Sequence, residues 1–302
     1  MPRITPHPDH LFDPKTRHLM VWPHQDDEVM YTGIIGRVGP EVDFVWVTNG
    51  DGLAPEEGAD PVEYAKLRMA ETDKVLGVLG RPLSRRTNLA FSEIEIYDHF
   101  VDLTRTPARR DEIMDYFQGI ADAVYQQVAA SAPQVVWVPA FQNGHPEHDL
   151  VHIVTALALR RLRSQGHEVA LYQVPEYEYL IFIPHRFHPL YKGQIHALHL
   201  TPDEVATKRT CLECYPSQVN LFRFFERVIG SLGKAAWLLG RGFTLEDFMA
   251  LEQFSPVDPD LDYTRSTHLF EQANYINEKH DGVKVRFDRH IAEIARELTR
   301  RL

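Results

Sequence analysis

The chain has 302 residues, 44% of them hydrophobic, which is enough for one large domain or two small ones around a sizeable core. Its net charge of −11 and pI of about 5.8 argue against nucleic acid as a partner, since such binders concentrate basic residues on one face. The N-terminus has no apolar signal core, and no apolar run reaches the roughly eighteen residues of a membrane span, so a cytoplasmic location without a membrane span is the default expectation.

In chain order, residues 1–16 read as an N-terminal surface extension. Its stretch PHPDH (Pro6 to His10) is metal-like in composition but has no strand before it and no helix after it. HLMVWPH (His18 to His24) is a short apolar strand that runs into the polar cluster HQDDE. EVMYTGIIGRV looks helical and stops at Pro40; VDFVWVT is a β-branched, aromatic strand ending in the turn NGDG. Pro61 to Gly80 has Pro at its start, apolar residues at helical spacing and Gly at its end. TNLAF reads as a third strand, RRDEIMDYFQGIADAVYQQVAAS as a long amphipathic helix, and PQVVWVPA as another strand. DLVHIVTALALRRLRSQG is a helix, and EVALYQV and QIHALHL are strands. Beyond about Thr201 the pattern turns helical, in TPDEVATKRTCLECY and YTRSTHLFEQANYINEKHD, with Gly-rich GKAAWLLGRGF between them. Cys211 and Cys214 form a single C-x-x-C and read as small apolar residues within a helix.

Strands alternating with helices predict an α/β, Rossmann-like fold: a mostly parallel sheet flanked by helices, with a C-terminal helical region over 219–302 packed on the same domain. Such sheets bind ligands beyond the carboxyl ends of their strands, at a topological switch point. Two histidine clusters fall there: HQDDE after the first strand, and GHPEHDLVH (Gly144 to His152) after VVWVPA. No G-x-S-x-G elbow is present, and the first strand leads into PHQDDE instead of G-x-G-x-x-G, so serine-hydrolase and dinucleotide-binding readings lose their motifs.

The paired clusters fit a catalytic zinc, which takes three ligands from His and Asp/Glu and keeps one position open. His24 and Asp27, three residues apart at a strand-to-helix turn, are the expected ligands, with His148 completing the set. Zn²⁺ lowers the pKa of bound water and polarises a carbonyl, and related N/O sites accept other divalent ions. Asp26 is the candidate general base, and His145 the group that steadies the oxyanion or protonates the leaving amine. The competing reading of Asp27 and Glu28 is that of acids partnering a helix N-terminus. His152, a helical turn past His148, reads as a helix-face residue, with a place behind the ligands as the alternative. His185, His188, His196 and His199 read as structural.

PHQDDE followed by GHPEH resembles the PIG-L, or LmbE-like, family of zinc-dependent N-deacetylases, whose motifs run His-Pro-Asp-Asp-Glu and His-Pro-Asp-His. The similarity extends over roughly 17–218 and includes VTNGDG, RMAETDKVLGVLG and KRTCLECYPSQ. It implies the same assignment of His24, Asp27 and His148 as ligands, Asp26 as base and His145 as acid or oxyanion partner, and it adds Arg68 as a substrate contact. The expected activity is metal-dependent removal of an acetyl group from an N-acetylated amino sugar or glycoconjugate. An amidase for a non-sugar N-acyl or thiol-conjugate substrate and a non-catalytic sugar- or metal-binding homologue remain the alternatives. A homo-oligomer is left open. Departures from the family pattern are Gln25 for proline, Glu147 for aspartate, and AFSEIE for a Phe-Pro-Asp-Gly stretch, which places Glu93 where a substrate-contacting Asp often lies. Gln25 is expected to tune its loop or touch substrate.

Overall fold

A computed structural model describes residues 4–5, 7–178, 185–237, 242–268, 275 and 278–302. The strands are β1 (Ile4–Thr5), β2 (His18–Trp22), β3 (Val42–Thr48), β4 (Arg86–Phe91), β5 (Val135–Pro139), β6 (Ala170–Val174), β7 (Ile195–His199) and β8 (Leu251–Pro256), in the sheet order β1-β7-β8-β6-β5-β2-β3-β4. β4, β3, β2, β5 and β6 are all parallel, and β8 runs antiparallel to both β6 and β7. The expected mostly parallel sheet is therefore present.

The strands are apolar on both faces, as a sheet covered on both sides requires. Leu19, Val21, Val45, Val47, Val136 and Val138 pack toward the helices α4 (Glu93–Arg105), α5 (Arg110–Ser131), α6 (Pro146–Ser164) and α10 (Ala292–Arg301). The alternate residues Met20, Trp22, Phe44, Trp46 and Trp137 pack on the other face against α1 (Thr32–Arg37), α3 (Pro61–Val78) and α7 (Pro202–Glu213). From β2 the chain moves outward through β3 to β4, then returns to place β5 on the other side of β2. The switch point thus lies between β2 and β5, which pair His18 with Val135 and Met20 with Trp137. Their carboxyl ends carry the two histidine motifs side by side.

Several elements differ from expectation. The helix after the first motif begins as a 3₁₀ turn, Asp27–Tyr31, before α1. α6 starts at Pro146, so His148 sits in its first turn and not in a loop; Pro at that position lacks only an N–H that a helix start leaves unpaired. AFSEIE opens α4, capped by Ser92 accepting from the Glu95 N–H. The C-terminal region is not purely helical, because β8 enters the main sheet between β6 and β7. The N-terminal extension is not free on the surface either: β1 pairs with β7 and Leu11 is fully buried, while His10 is exposed. Pro6, residues 269–274 and 276–277 of YTRSTHLFEQANYINEKHD, and 238–241 of GKAAWLLGRGF lie outside the described residues. Cys211 is buried on α7, as expected of a small apolar residue. Among the described residues no helix is long and apolar enough to cross a membrane.

β8 has a direct link to the first motif. Glu252, 1% exposed, accepts from the Gly33 and Ile34 N–H groups at the start of α1, each at 2.8 Å, and pairs with Lys208 Nζ at 2.7 Å. Lys208 also donates to the Met30 carbonyl at 2.8 Å. A Cβ at Gly33 would stand 2.1 Å from a Leu200 methyl, so any larger residue would displace that side chain. A buried ion pair of this kind is costly to break from one side, because the remaining charge stays desolvated. Lys208→Met is expected to lower unfolding free energy by about 3 kcal/mol, read from the midpoint of urea unfolding. A loss under about 1 kcal/mol would show that Glu252 is held by its two amides alone.

Candidate active site

β2 ends at Trp22, and the next five residues make a tight turn at the switch point. Asp26 adopts φ 121°, a sparsely populated conformation for a residue with a side chain and of the kind found at functional sites. Around it the neighbouring side chains diverge. Asp27 folds back, its Oδ2 accepting from the His24 N–H at 2.9 Å. Asp26 points toward Arg68, whose guanidinium stands 3.2 Å from Oδ2. The Asp26 N–H donates to Glu28 at 3.1 Å, and Glu28 accepts the Tyr215 hydroxyl at 2.6 Å.

His148, on the first turn of α6, meets this turn. Its Nε2 lies 3.2 Å from His24 Nδ1 and 3.4 Å from Asp27 Oδ1, while His24 Nδ1 is 3.6 Å from Asp27 Oδ2. The two Asp27 distances run to different oxygens of its carboxylate, so the three side chains stand within reach of one small ion without fixing a single set of three ligand atoms. Two other groupings share His24: His24, His145 and His148, and His24, Glu93 and Glu147, each with donor atoms within 4.8 Å of one another. All three sets share His24, one of whose ring nitrogens is engaged. Nε2 lies 2.8 Å from Glu147 Oε2, the arrangement by which a carboxylate fixes a metal-binding imidazole's tautomer.

Charge also favours a cation. Burial drives the carboxyls of Asp26 and Asp27 above their ordinary range, and it pushes Glu28 and Glu147 up to about 7. Arg68 opposes the rise at Asp26 but does not cancel it. Burial disfavours the His24 imidazolium, yet Glu93, Glu147 and Asp27 together hold its pKa well above the histidine norm. His145 and His148 go the other way, kept neutral by burial and by the neighbouring histidines. The donor set, N, N and O among surplus buried carboxylates, suits a divalent ion.

His145 is the N-cap residue of α6, with its ring stacked on Tyr177 at 5.4 Å and 5.1 Å from the His24 ring. Its Nδ1 is buried and makes no hydrogen bond among the described residues. Arg68 is only 3% exposed and spends its charge on Asp26 and Ser217, whose hydroxyl and N–H are held by Glu71. Glu93 lies beside the cluster, its Oε1 2.9 Å from Thr48 Oγ1.

The family model described as GlcNAc-PI de-N-acetylase, PIG-L, matches residues 19–159, which contain both motifs. Residues 19–159 form a PIG-L-family domain. Solved structures share the wider fold. A deacetylase–bog complex from the biosynthesis pathway of teicoplanin aligns with TM-score 0.56 and 16% identity, over 80% of this chain and 97% of that one. The antimicrobial A40926 pseudoaglycone deacetylase aligns at 0.53 and 18%, over 81% and 97%. A zinc-inhibited form of teicoplanin deacetylase aligns at 0.53 and 15%, over 80% and 97%. No curated protein matches the chain.

Beyond the PIG-L stretch, later residues complete the surroundings. Glu278 lies 3.8 Å from His145 Nε2 and accepts the Tyr97 hydroxyl. Glu176, 3% exposed, lines a cleft with Asp26 and Asp27, and His185 Nδ1 stands 2.9 Å from its carboxylate. His185 is thus at the site's edge and not a remote structural histidine; its only sequence signal was the glutamate pair in VPEYE nearby. His152 is a packing residue, with Nδ1 2.7 Å from the Pro139 carbonyl and Nε2 3.2 Å from the Tyr263 hydroxyl.

Gln25 has no exposed surface, which removes the substrate-contact reading in this conformation. Its Nε2 donates to the Thr48 carbonyl at 2.8 Å and its Oε1 lies over Gly50, at φ +81°, where a Cβ would come within 2.4 Å. It is a strut between the turn after β2 and the loop after β3. Gln25→Ala is expected to cost about 1–3 kcal/mol of stability with KM near that of the wild type, since a buried carbonyl loses its partner. Unfolding curves and steady-state kinetics check this. Full stability with a raised KM would restore the substrate-contact role.

Proposed function

We propose that the chain is a metal-dependent hydrolase that removes an acyl group, acetyl in the simplest case, from an N-acylated amino sugar or glycoconjugate. The observation that carries this reading is the triangle of His24, Asp27 and His148 with the Asp26 carboxylate beside it, held by Arg68. The PIG-L match and the deacetylase structures named above support the same class.

His24 Nδ1, His148 Nε2 and Asp27 would hold the ion, zinc in the first instance. A bound zinc ion supplies Lewis acidity, polarising the amide carbonyl and acidifying water. Asp26 accepts the proton of the attacking water, as a carboxylate held beside the cluster can. Arg68 fixes the direction of that carboxylate, and Glu71 with Ser217 fixes Arg68. His145, with an unengaged Nδ1 among the described residues, is placed to steady the developing oxyanion or to pass a proton to the leaving amine.

The test is metal analysis paired with an amine-release screen over N-acyl amino sugars. Chelation is expected to abolish release and one equivalent of zinc to restore it. Asp26→Asn should keep its metal and lose kcat by at least about 10²-fold, while His148→Ala should lose stoichiometric metal. A near-wild-type rate in Asp26→Asn would remove that residue from the chemistry. Turnover that survives exhaustive chelation would sink the metal-dependent reading.

A further inference from the structure

The two sides of the cluster differ in polarity. His24 Nε2 faces Glu147, with Glu93 beside it, and His145 faces Glu278, so one side is a carboxylate wall. His24 Nδ1 faces Asp27 and His148, and Asp26 and Asp27 line a separate cleft that includes none of Glu93, Glu147 and Glu278. Besides Asp26, Asp27, Glu176 and Glu226 its lining is mainly apolar, with Phe222, Phe225 and Ile229 of α8 (Val219–Trp237) and Phe248 of α9 (Leu245–Met249). Phe222 and Phe225 are only half-buried, so their rings still offer surface to an occupant of the cleft.

An N-acyl amino sugar has the same asymmetry, a polyhydroxylated half and an acyl half joined at the amide. Seated with its carbonyl at the triangle, it places hydroxyls against the carboxylates and the acyl group toward α8. An acetyl methyl is too short to cover that apolar lining. A chain of several carbons covers it and gains the free energy of removing apolar surface from water. We propose that the cleft is an acyl-chain subsite and that the preferred substrates carry N-acyl groups longer than acetyl. The inference rests on the hydrolase reading above. In the reaction water's oxygen bonds to the acyl carbon, the C–N bond breaks, and a fatty acid and a free amine leave. The proton taken up at Asp26 ends on the amine.

The test is kcat/KM for amine release by the zinc-loaded full chain from glucosamine N-acylated with acetyl, butanoyl, hexanoyl and octanoyl groups. The expected result is a rise on the order of threefold per added methylene until the cleft is filled, the scale set by burying one CH₂. The octanoyl-to-acetyl ratio should fall at least about fivefold in Phe222→Ser and in Phe225→Ser, a ratio that partial loss of folded protein does not move. A second series keeps the N-acetyl group and lengthens an alkyl glycoside. Acetyl as the best acyl group, or a gain with glycoside length in place of acyl length, overturns the subsite and leaves the hydrolase reading intact. No release from any of these amides, with one zinc bound, removes the hydrolase reading and the subsite with it.

Discussion

Negative charge buried at the switch point is the constraint that organises the molecule. Asp27, Glu28, Glu147 and Glu176 are buried within a few residues of the strand ends, with Asp26 and Glu93 only partly exposed beside them. Desolvated carboxylates are expensive unless paired or hydrogen-bonded. Glu28 is answered by Tyr215 and a backbone amide, and Asp26 by Arg68. Glu147 reaches His24 through one oxygen, and its other oxygen has no partner among the described residues. The remaining surplus is what a dication would neutralise, and in doing so it would reverse the upward pKa shifts of its ligands. On the proposed reading, the same acids that burden the fold would supply the metal affinity.

That arrangement needs a stiff frame, and much of the frame comes from distant sequence. Glu252 of β8 and Lys208 of α7 clamp the helix start that follows the first motif. Ser217, just before α8, orders Arg68 with Glu71 from α3. Tyr275 and Asn143 both donate to Asp149, behind the first turn of α6, and so hold the His148 end of that helix. Each link ties a segment outside the PIG-L stretch to backbone or side-chain groups within it. The stretch carries the chemistry, and the C-terminal half carries its alignment.

The two motifs were legible because their residue types are rare together and each sits between a strand and a helix. The parallel sheet was legible because VDFVWVT and VVWVP are apolar on both faces, the mark of covered strands. β8 was not: LEQFSP mixes Glu252 and Gln253 with one fully buried aromatic, and its acids and amides are satisfied only by partners far along the chain. α4 was hidden because AFSEIE was compared with a loop motif, although Ser92 three residues before Glu95 is a helix-start signal. Glu176, His185 and Glu278 carry no local pattern; only the tertiary fold brings them to the cluster.

The Glu147 substitution takes on a role that pattern comparison could not give it. At the second position of α6 an aspartate is one methylene shorter. Glu147 spans the gap from α6 to the turn after β2 and ends 2.8 Å from His24 Nε2. Were an ion bound at Nδ1, a proton on Nε2 directed at that carboxylate would fix the His24 tautomer. Glu93, the other departure near the cluster, faces this same Nε2 side. Both departures therefore bring carboxylates to the side of His24.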